Sequence, residues 1–210
     1  MAARKSKEPK QRIMDVAISL FAQKGYAGVG VREIASEADV NIAMISYYFE
    51  GKLGILKAII EEFFCHYSEI LSDIDDQSKS PEECVRLMVQ RLVNFVKKNT
   101  ELAMVTYNEL PLDSPEIAEM KAEKIKELIQ RISGLIRRFG LDPSDTFHIA
   151  VIGPSLIASI LTNFRFRPVL KRIIKVEFND AYHERLIETI SALFLFGVHG
   201  IAAQKRKRRK

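Results

Sequence analysis

Between Val31 and Lys52 the chain reads VREIASEADVNIAMISYYFEGK, two short amphipathic segments either side of a break too tight for anything but a helix-turn-helix. In the first segment Val31, Ile34, Ala35 and Ala38 recur at three- and four-residue steps and share one helix face, while Arg32, Glu33, Ser36, Glu37 and Asp39 take the other. The pattern breaks at Asp39-Val40-Asn41. There Asn41 is placed to cap the next helix through its side-chain oxygen, and Val40 to plug the angle between the two. Ile45, Tyr48 and Phe49 form the inward stripe of the second helix. Ile42, Ala43, Met44, Ser46 and Tyr47 are left outward near its start, a nearly uncharged set suited to lying among base edges.

The flanks extend the pattern. Upstream, Ile13, Val16, Ala17, Leu20 and Phe21 fall at helical spacing and stop at Gly25, which suits a left-handed C-cap. Downstream, Gly51 interrupts the chain, and Lys52 opens a long helix through Ile55, Leu56, Ile59, Ile60, Phe63, Phe64 and Tyr67, expected to reach about Leu71.

From about residue 10 to 56 the chain resembles the DNA-binding domain of the TetR family of bacterial one-component transcriptional regulators. The matching residues are Ala17, Leu20, Phe21 and Gly25-Tyr26, then Val31-Arg32-Glu33-Ile34-Ala35, Ala38, Val40 and Asn41, and finally Tyr48-Phe49 and Gly51-Lys52. Three positions depart from the family pattern. Gly30 stands where Thr or Ser is usual, Ile42 where Lys is frequent, and Ser46 where Tyr is frequent. The operator sequence therefore cannot be copied from relatives, and a phosphate contact at Gly30 has only backbone N–H groups to draw on. Taking residues and resemblance together, the expected DNA-binding set is Gly30, Val31, Arg32, Asn41, Ile42, Ala43, Met44, Ser46, Tyr47, Tyr48 and Lys52. Tyr47 and Lys52 are expected at phosphates, and Ile42, Ala43, Met44 and Ser46 at bases.

The remainder reads as all helical, and its punctuation is legible. Ser80-Pro81-Glu82-Glu83 combines an N-cap Ser, Pro at the first helical position and Glu at the third, predicting a helix to about Asn99. A shorter segment from Glu101 to Glu109 ends at Leu110-Pro111. Ser114-Pro115 starts a helix that stops at Gly140, with apolar Leu141 after the cap, and Asp142-Pro143 is expected to open another. That helix, and a last one from Asp180 to about Ala203, carry more apolar surface than one core needs. This predicts an isologous contact between two copies through Ile152, Leu156, Ile160, Ile190, Leu193, Phe194, Gly197 and Ile201. The resemblance implies the same pair of C-terminal helices.

The expected fold is thus all-α. A flexible basic arm (1–9) and a three-helix DNA-binding domain with a helix-turn-helix (10–56) precede a larger helical effector-binding and dimerisation domain (57–204) and a basic tail (205–210). Charge follows the ends. The net charge is +5, yet residues 1–12 carry +4 and the final KRKRRK carries +6, so residues 13–204 are acidic at −5. An effector pocket, implied by the family, is expected among Phe63, Phe64, Tyr67, Met88, Leu92, Phe95, Met104, Tyr107, Asn108, Leu128 and Ile152. Each of these also fits plain core packing. Glu109, His148 and Asn163 are further polar residues in apolar context.

Catalytic and metal chemistry find no pattern: there is no Gly-rich phosphate loop, GxSxG or HExxH, and Cys65 and Cys84 are isolated. No cofactor is expected. The longest apolar run, near Ile149 to Leu161, is interrupted by Gly153-Pro154, so a cytoplasmic protein without a membrane span is expected. The functional expectation is a ligand-responsive regulator, more a repressor than an activator, that binds a palindromic double-stranded DNA operator as a homodimer and is released by a small apolar or amphipathic effector. A helical ligand-binding enzyme and a nonspecific DNA-binding module without an effector are the alternatives.

Overall fold

In a computed structural model, the backbone is described for residues 8–108 and 114–208, and side chains up to Gly197. Glu109, Leu110-Pro111, the side chain of Ile201, most of the N-terminal arm and the side chains of the basic tail lie outside the described residues. The described chain is helical throughout: α1 Pro9–Lys24, α2 Val31–Glu37, α3 Ile42–Phe49, α4 Lys52–Ile70, α5 Pro81–Lys98, α6 Thr100–Asn108, α7 Pro115–Arg138, α8 Thr146–Arg165, α9 Arg167–Ile173 and α10 Asp180–Arg208.

Local chemistry sets most boundaries. The Ser80 capping box forms in full: the Glu83 N–H donates to Ser80 Oγ at 3.2 Å, while Glu83 Oε2 accepts from the Ser80 N–H at 2.7 Å. Those bonds hold the Glu83 carboxyl below its ordinary range. At the end of α7, Gly140 has φ +73°, its N–H reaches the Arg137 carbonyl at 2.8 Å, and the Leu141 N–H reaches that of Ile136 at 3.3 Å. This is a Schellman motif, with Leu141 buried behind it.

One boundary and one expected interruption differ from expectation, and one element is new. Asp142 serves a turn, accepting from the Ser144 N–H at 2.8 Å, and α8 begins at Thr146, where the side chain of Asp145 accepts from the His148 N–H. Pro154 sits inside α8 without ending it. Pro154 has no N–H to offer the Ala150 carbonyl, and Ala150 is exposed, so the group is open to solvent and the cost of the missing bond is small. The resulting 20-residue helix is long and apolar enough by length and composition to cross a membrane, contrary to the expectation of an interrupted run. The short α9 had no expectation attached to it.

The chain forms two compact units, residues 1–66 with 99–122, and residues 67–98 with 123–210. In the first, α1, α2 and α3 pack around Ile13, Val16, Ala17, Phe21, Ile34, Ile45 and Phe49, and α1 also packs on α6. Ile55, Leu56, Ile59 and Ile60 of α4 are fully buried, and Lys57 pairs with Glu116. In the second, α5 packs on α8 and α10 around Val89, Leu92, Leu156, Ile160, Phe164, Leu186 and Ile190. Arg91 pairs with Asp73 at 2.5 Å, and Arg138 with Asp75 at 3.0 Å.

Candidate nucleic-acid interface

Three features mark the turn between α2 and α3. Asp39 adopts the left-handed conformation (φ +53°), Ala38 is buried, and the Arg12 guanidinium of α1 donates to the Asp39 carbonyl at 3.3 Å. Asn41 then caps α3 as its position predicts, its side-chain oxygen accepting from the Ala43 N–H at 2.9 Å. Ile45 and Phe49 are buried beneath α3, which leaves Ile42, Ala43, Ser46 and Tyr47 exposed and Met44 and Tyr48 half-buried. Tyr47, 81 % exposed, stands edge-on to the Tyr48 ring at 4.9 Å. The outcome is a helix whose first two turns offer an apolar, hydroxyl-bearing surface with no charge on it.

At the start of α2, Gly30 takes the extended N-cap conformation (φ −100°, ψ 153°) with no side-chain cap, and nothing lies within 4 Å of where a Cβ would stand. Gly30→Ser therefore adds a missing cap at no steric cost. It is expected to stabilise the chain by a few tenths of a kcal/mol, seen as a rise of about 1 °C in thermal unfolding. Val31 is half-buried and Arg32 exposed, while Lys24 and Glu33 pair at 2.5 Å across α1 and α2. The Lys24 ammonium keeps the Glu33 carboxyl below its ordinary value.

Lys52 is engaged differently from the expectation of a phosphate contact. Its ammonium donates to the carbonyls of Tyr26 at 3.0 Å and Val29 at 2.9 Å and lies 4.2 Å from the centre of the Tyr26 ring. Two of its three donors thus hold the loop that leads into α2. Lys52→Ala leaves both carbonyls without this partner, so a loss of about 1–3 kcal/mol in stability is expected. Thermal unfolding together with the salt dependence of DNA affinity separates the two roles. A caging lysine lowers the melting temperature and leaves the slope alone, whereas a phosphate ligand lowers the slope by about one charge.

Sequence inspection also passed over Gly54. A Cβ there would stand 1.5 Å from the Phe49 carbonyl oxygen and 2.7 Å from its carbon. The first turn of α4 thus abuts the last turn of α3, and the only hint in the sequence was a lone Gly inside an apolar helical pattern. Glu50 caps α3 in the left-handed conformation (φ +60°), and Gly51 follows at φ +115°.

The other expected sites draw residues from both units. Of the effector-lining candidates, Phe64, Met88, Leu92 and Leu128 are buried; Phe63, Tyr67, Phe95, Met104 and Ile152 are half-buried; Tyr107 and Asn108 are exposed. Phe63, Phe64, Met104, Tyr107 and Asn108 belong to the first unit and the rest to the second. Burial raises the Tyr67 phenol above its ordinary value. A shallow groove of about 480 Å³ between α1 and α4 is bordered by Glu8, Lys10, Gln11, Met14, Ala58, Glu61, Glu62 and Cys65, none of them an expected effector contact.

For the expected self-contact, Leu156, Ile160 and Ile190 require correction. They are 4 %, 1 % and 4 % exposed within a single chain, so they have no surface left to give a second copy. Ile152 and Phe194 are half-buried, whereas Leu193 and Gly197 are exposed as expected. The uncovered faces instead run along Phe147, Val151, Pro154 and Ser155 of α8, and along Thr189, Ala192, Leu193 and Phe196 of α10. Among the described residues, no group of His, Cys, Asp and Glu could hold a metal ion.

Residues 13–59 match the model of "Bacterial regulatory proteins, tetR family". Over 130 residues the chain is 38 % identical to the "Probable HTH-type transcriptional regulator YttP" of Bacillus subtilis, covering 57 % of this chain and 62 % of that protein. It is 26 % identical over 133 residues to the "Fatty acid metabolism regulator protein" of the same organism, covering 63 % and 69 % of the two chains. The chain thus spans less than two thirds of YttP. The backbone is similar to the fatty acid degradation regulator FadR from Bacillus halodurans, with a TM-score of 0.71 at 20 % identity over 90 % of this chain and 95 % of that one. The matched residues contain α2, the Asn41-capped α3 and the contacts that support them, so this segment of the chain is similar to the tetR family of bacterial regulatory proteins.

Proposed function

We propose that this chain is a homodimeric, ligand-responsive transcriptional repressor that binds a palindromic duplex operator through α2 and α3 of each subunit. The observation that carries the reading is the surface of α3, a capped helix whose exposed residues Ile42, Ala43, Ser46 and Tyr47 bear no charge and no role in the core. Its side chains suit thymine methyl contacts better than bidentate hydrogen bonds to guanine. Phosphate contacts then fall to the Tyr47 hydroxyl, Arg32 and the backbone N–H groups after Gly30, while Lys52 and Asn41 position the helices.

The uncovered faces of α8 and α10 support a second copy as partner, because a soluble monomer rarely leaves such faces bare. Two heads at a fixed separation bind a two-fold site far more tightly than one. Release follows if an effector binds one separation of the heads better than the other. Helix α4 is the route proposed for that coupling, since it carries Phe63 and Tyr67 further along and its first turn abuts α3 at Gly54. The names of two relatives concern fatty acid metabolism, which fits an amphipathic effector.

The test is selection of duplexes from a random pool by the purified protein, followed by release assays with a panel of acyl and other amphipathic compounds. An inverted repeat with ligand-dependent release supports the reading. Duplexes without a shared motif would instead indicate nonspecific binding, and a motif without release by any ligand class would remove the effector from the account.

A further inference from the structure

Helix α9 and its flanks are placed without being covered. None of the seven residues of α9 is buried; Arg167 pins its start instead, with the guanidinium 3.8 Å from the centre of the Phe164 ring and an N–H donating to His183 Nε2 at 2.7 Å. His183 is itself buried, and burial lowers its imidazole below the ordinary value, in keeping with a neutral ring that accepts this bond. The apolar side chains of the segment are uncovered: Ile173 is 71 % exposed, and Phe166, Val169 and Ile174 are exposed as well. Residues 165–175 carry five cations and no carboxylate. Such a density of charge and bare apolar surface calls for a partner that is acidic and partly apolar.

Opposite charge is available on the same chain. Glu184 and Glu188 lie one turn apart on α10, both exposed, and among the described residues neither has an ion-pair partner; the same is true of Arg172 and Lys175. Leu193 and Phe196 continue the uncovered surface of that helix. We infer that residues 165–175 form an arm that docks on a second copy of this chain, Arg172 and Lys175 meeting that copy's Glu184 and Glu188 and Ile173 covering its apolar surface. The inference rests on the homodimer proposed above. Two-fold symmetry makes each such contact occur twice, and once the α8 and α10 faces have met, the arm closes at high effective concentration.

Sedimentation velocity over a concentration series tests it, at about 50 mM and about 500 mM salt, where charge pairs are screened to different degrees. The proteins are the wild type, Arg172→Glu/Lys175→Glu, Glu184→Lys/Glu188→Lys, all four changes together, and Phe196→Glu. All four charged positions are exposed, and circular dichroism checks that each variant is folded. Each double reversal is expected to weaken the dimer about 30-fold at low salt, from four surface pairs turned repulsive. The fourfold variant is expected to return to within about threefold of wild type, and the wild-type dimer to weaken as salt rises. If the reversals dimerise like the wild type while Phe196→Glu dissociates, or if the fourfold variant does not recover, the arm is overturned and the homodimer stands. A monomeric wild type overturns both.

Discussion

Gly54→Ala is expected to cost about 3 kcal/mol of stability and to reduce DNA affinity at least 100-fold. The new methyl group would stand 1.5 Å from the Phe49 carbonyl oxygen, far inside contact distance, and the atom in its way is backbone that no rotamer change can move. Overpacking of a well-filled site usually costs about 1–3 kcal/mol, and the upper end applies where the obstacle is rigid. Relief must come from sliding the end of α3 away from α4. Because α3 presents Ile42, Ala43, Ser46 and Tyr47, a displacement of an ångström or so misaligns every base contact together. Thermal unfolding and operator titration give the two numbers. An alanine at position 54 that melts and binds like wild type would show that the two helices do not bear on each other.

Phe196→Glu is expected to raise the dimer dissociation constant about 1000-fold or more and to lower operator affinity by a factor of 10²–10⁴. The side chain is 79 % exposed in a single chain, so the change leaves the fold intact and reports on association alone. Inserted between two apolar faces, a carboxylate on each copy would be buried without a partner and beside its own symmetry mate, which costs several kcal/mol. The loss on DNA follows because separate heads forgo the effective concentration that a fixed pair enjoys. Sedimentation and operator titration should therefore move together, with the melting profile at micromolar protein shifting to lower temperature as the dimer is lost. A variant that stays dimeric would place the contact elsewhere on the chain.

What could be read in advance was whatever a few neighbouring residues decide among themselves. The Asn41 cap, the Ser80–Glu83 box and the Gly140–Leu141 stop are each complete within four or five residues, so their chemistry is visible in one dimension. Contacts between distant segments were not. Nothing near Lys52 announces that the carbonyls of Tyr26 and Val29 will surround it, and Gly54 looks like a weak point in a helix until Phe49 arrives beside it. Helix α8 is apolar on every side, so no period distinguishes the stripe of Leu156 and Ile160 that turns inward from that of Phe147 and Val151 left outside. Asp142-Pro143 carried the expected start of α8, whereas the cap falls on Asp145 three residues on, with Asp142 closing the turn before it.

The placement of α6 beside α1 has a practical consequence for anyone who exchanges reading heads between regulators. A cut after the third or fourth helix would strip α1 of its neighbour and remove the bond from the Ser19 hydroxyl to Glu101. Transplants from this chain should carry residues 99–122 along with the amino-terminal segment, so that the graft travels with its own backing.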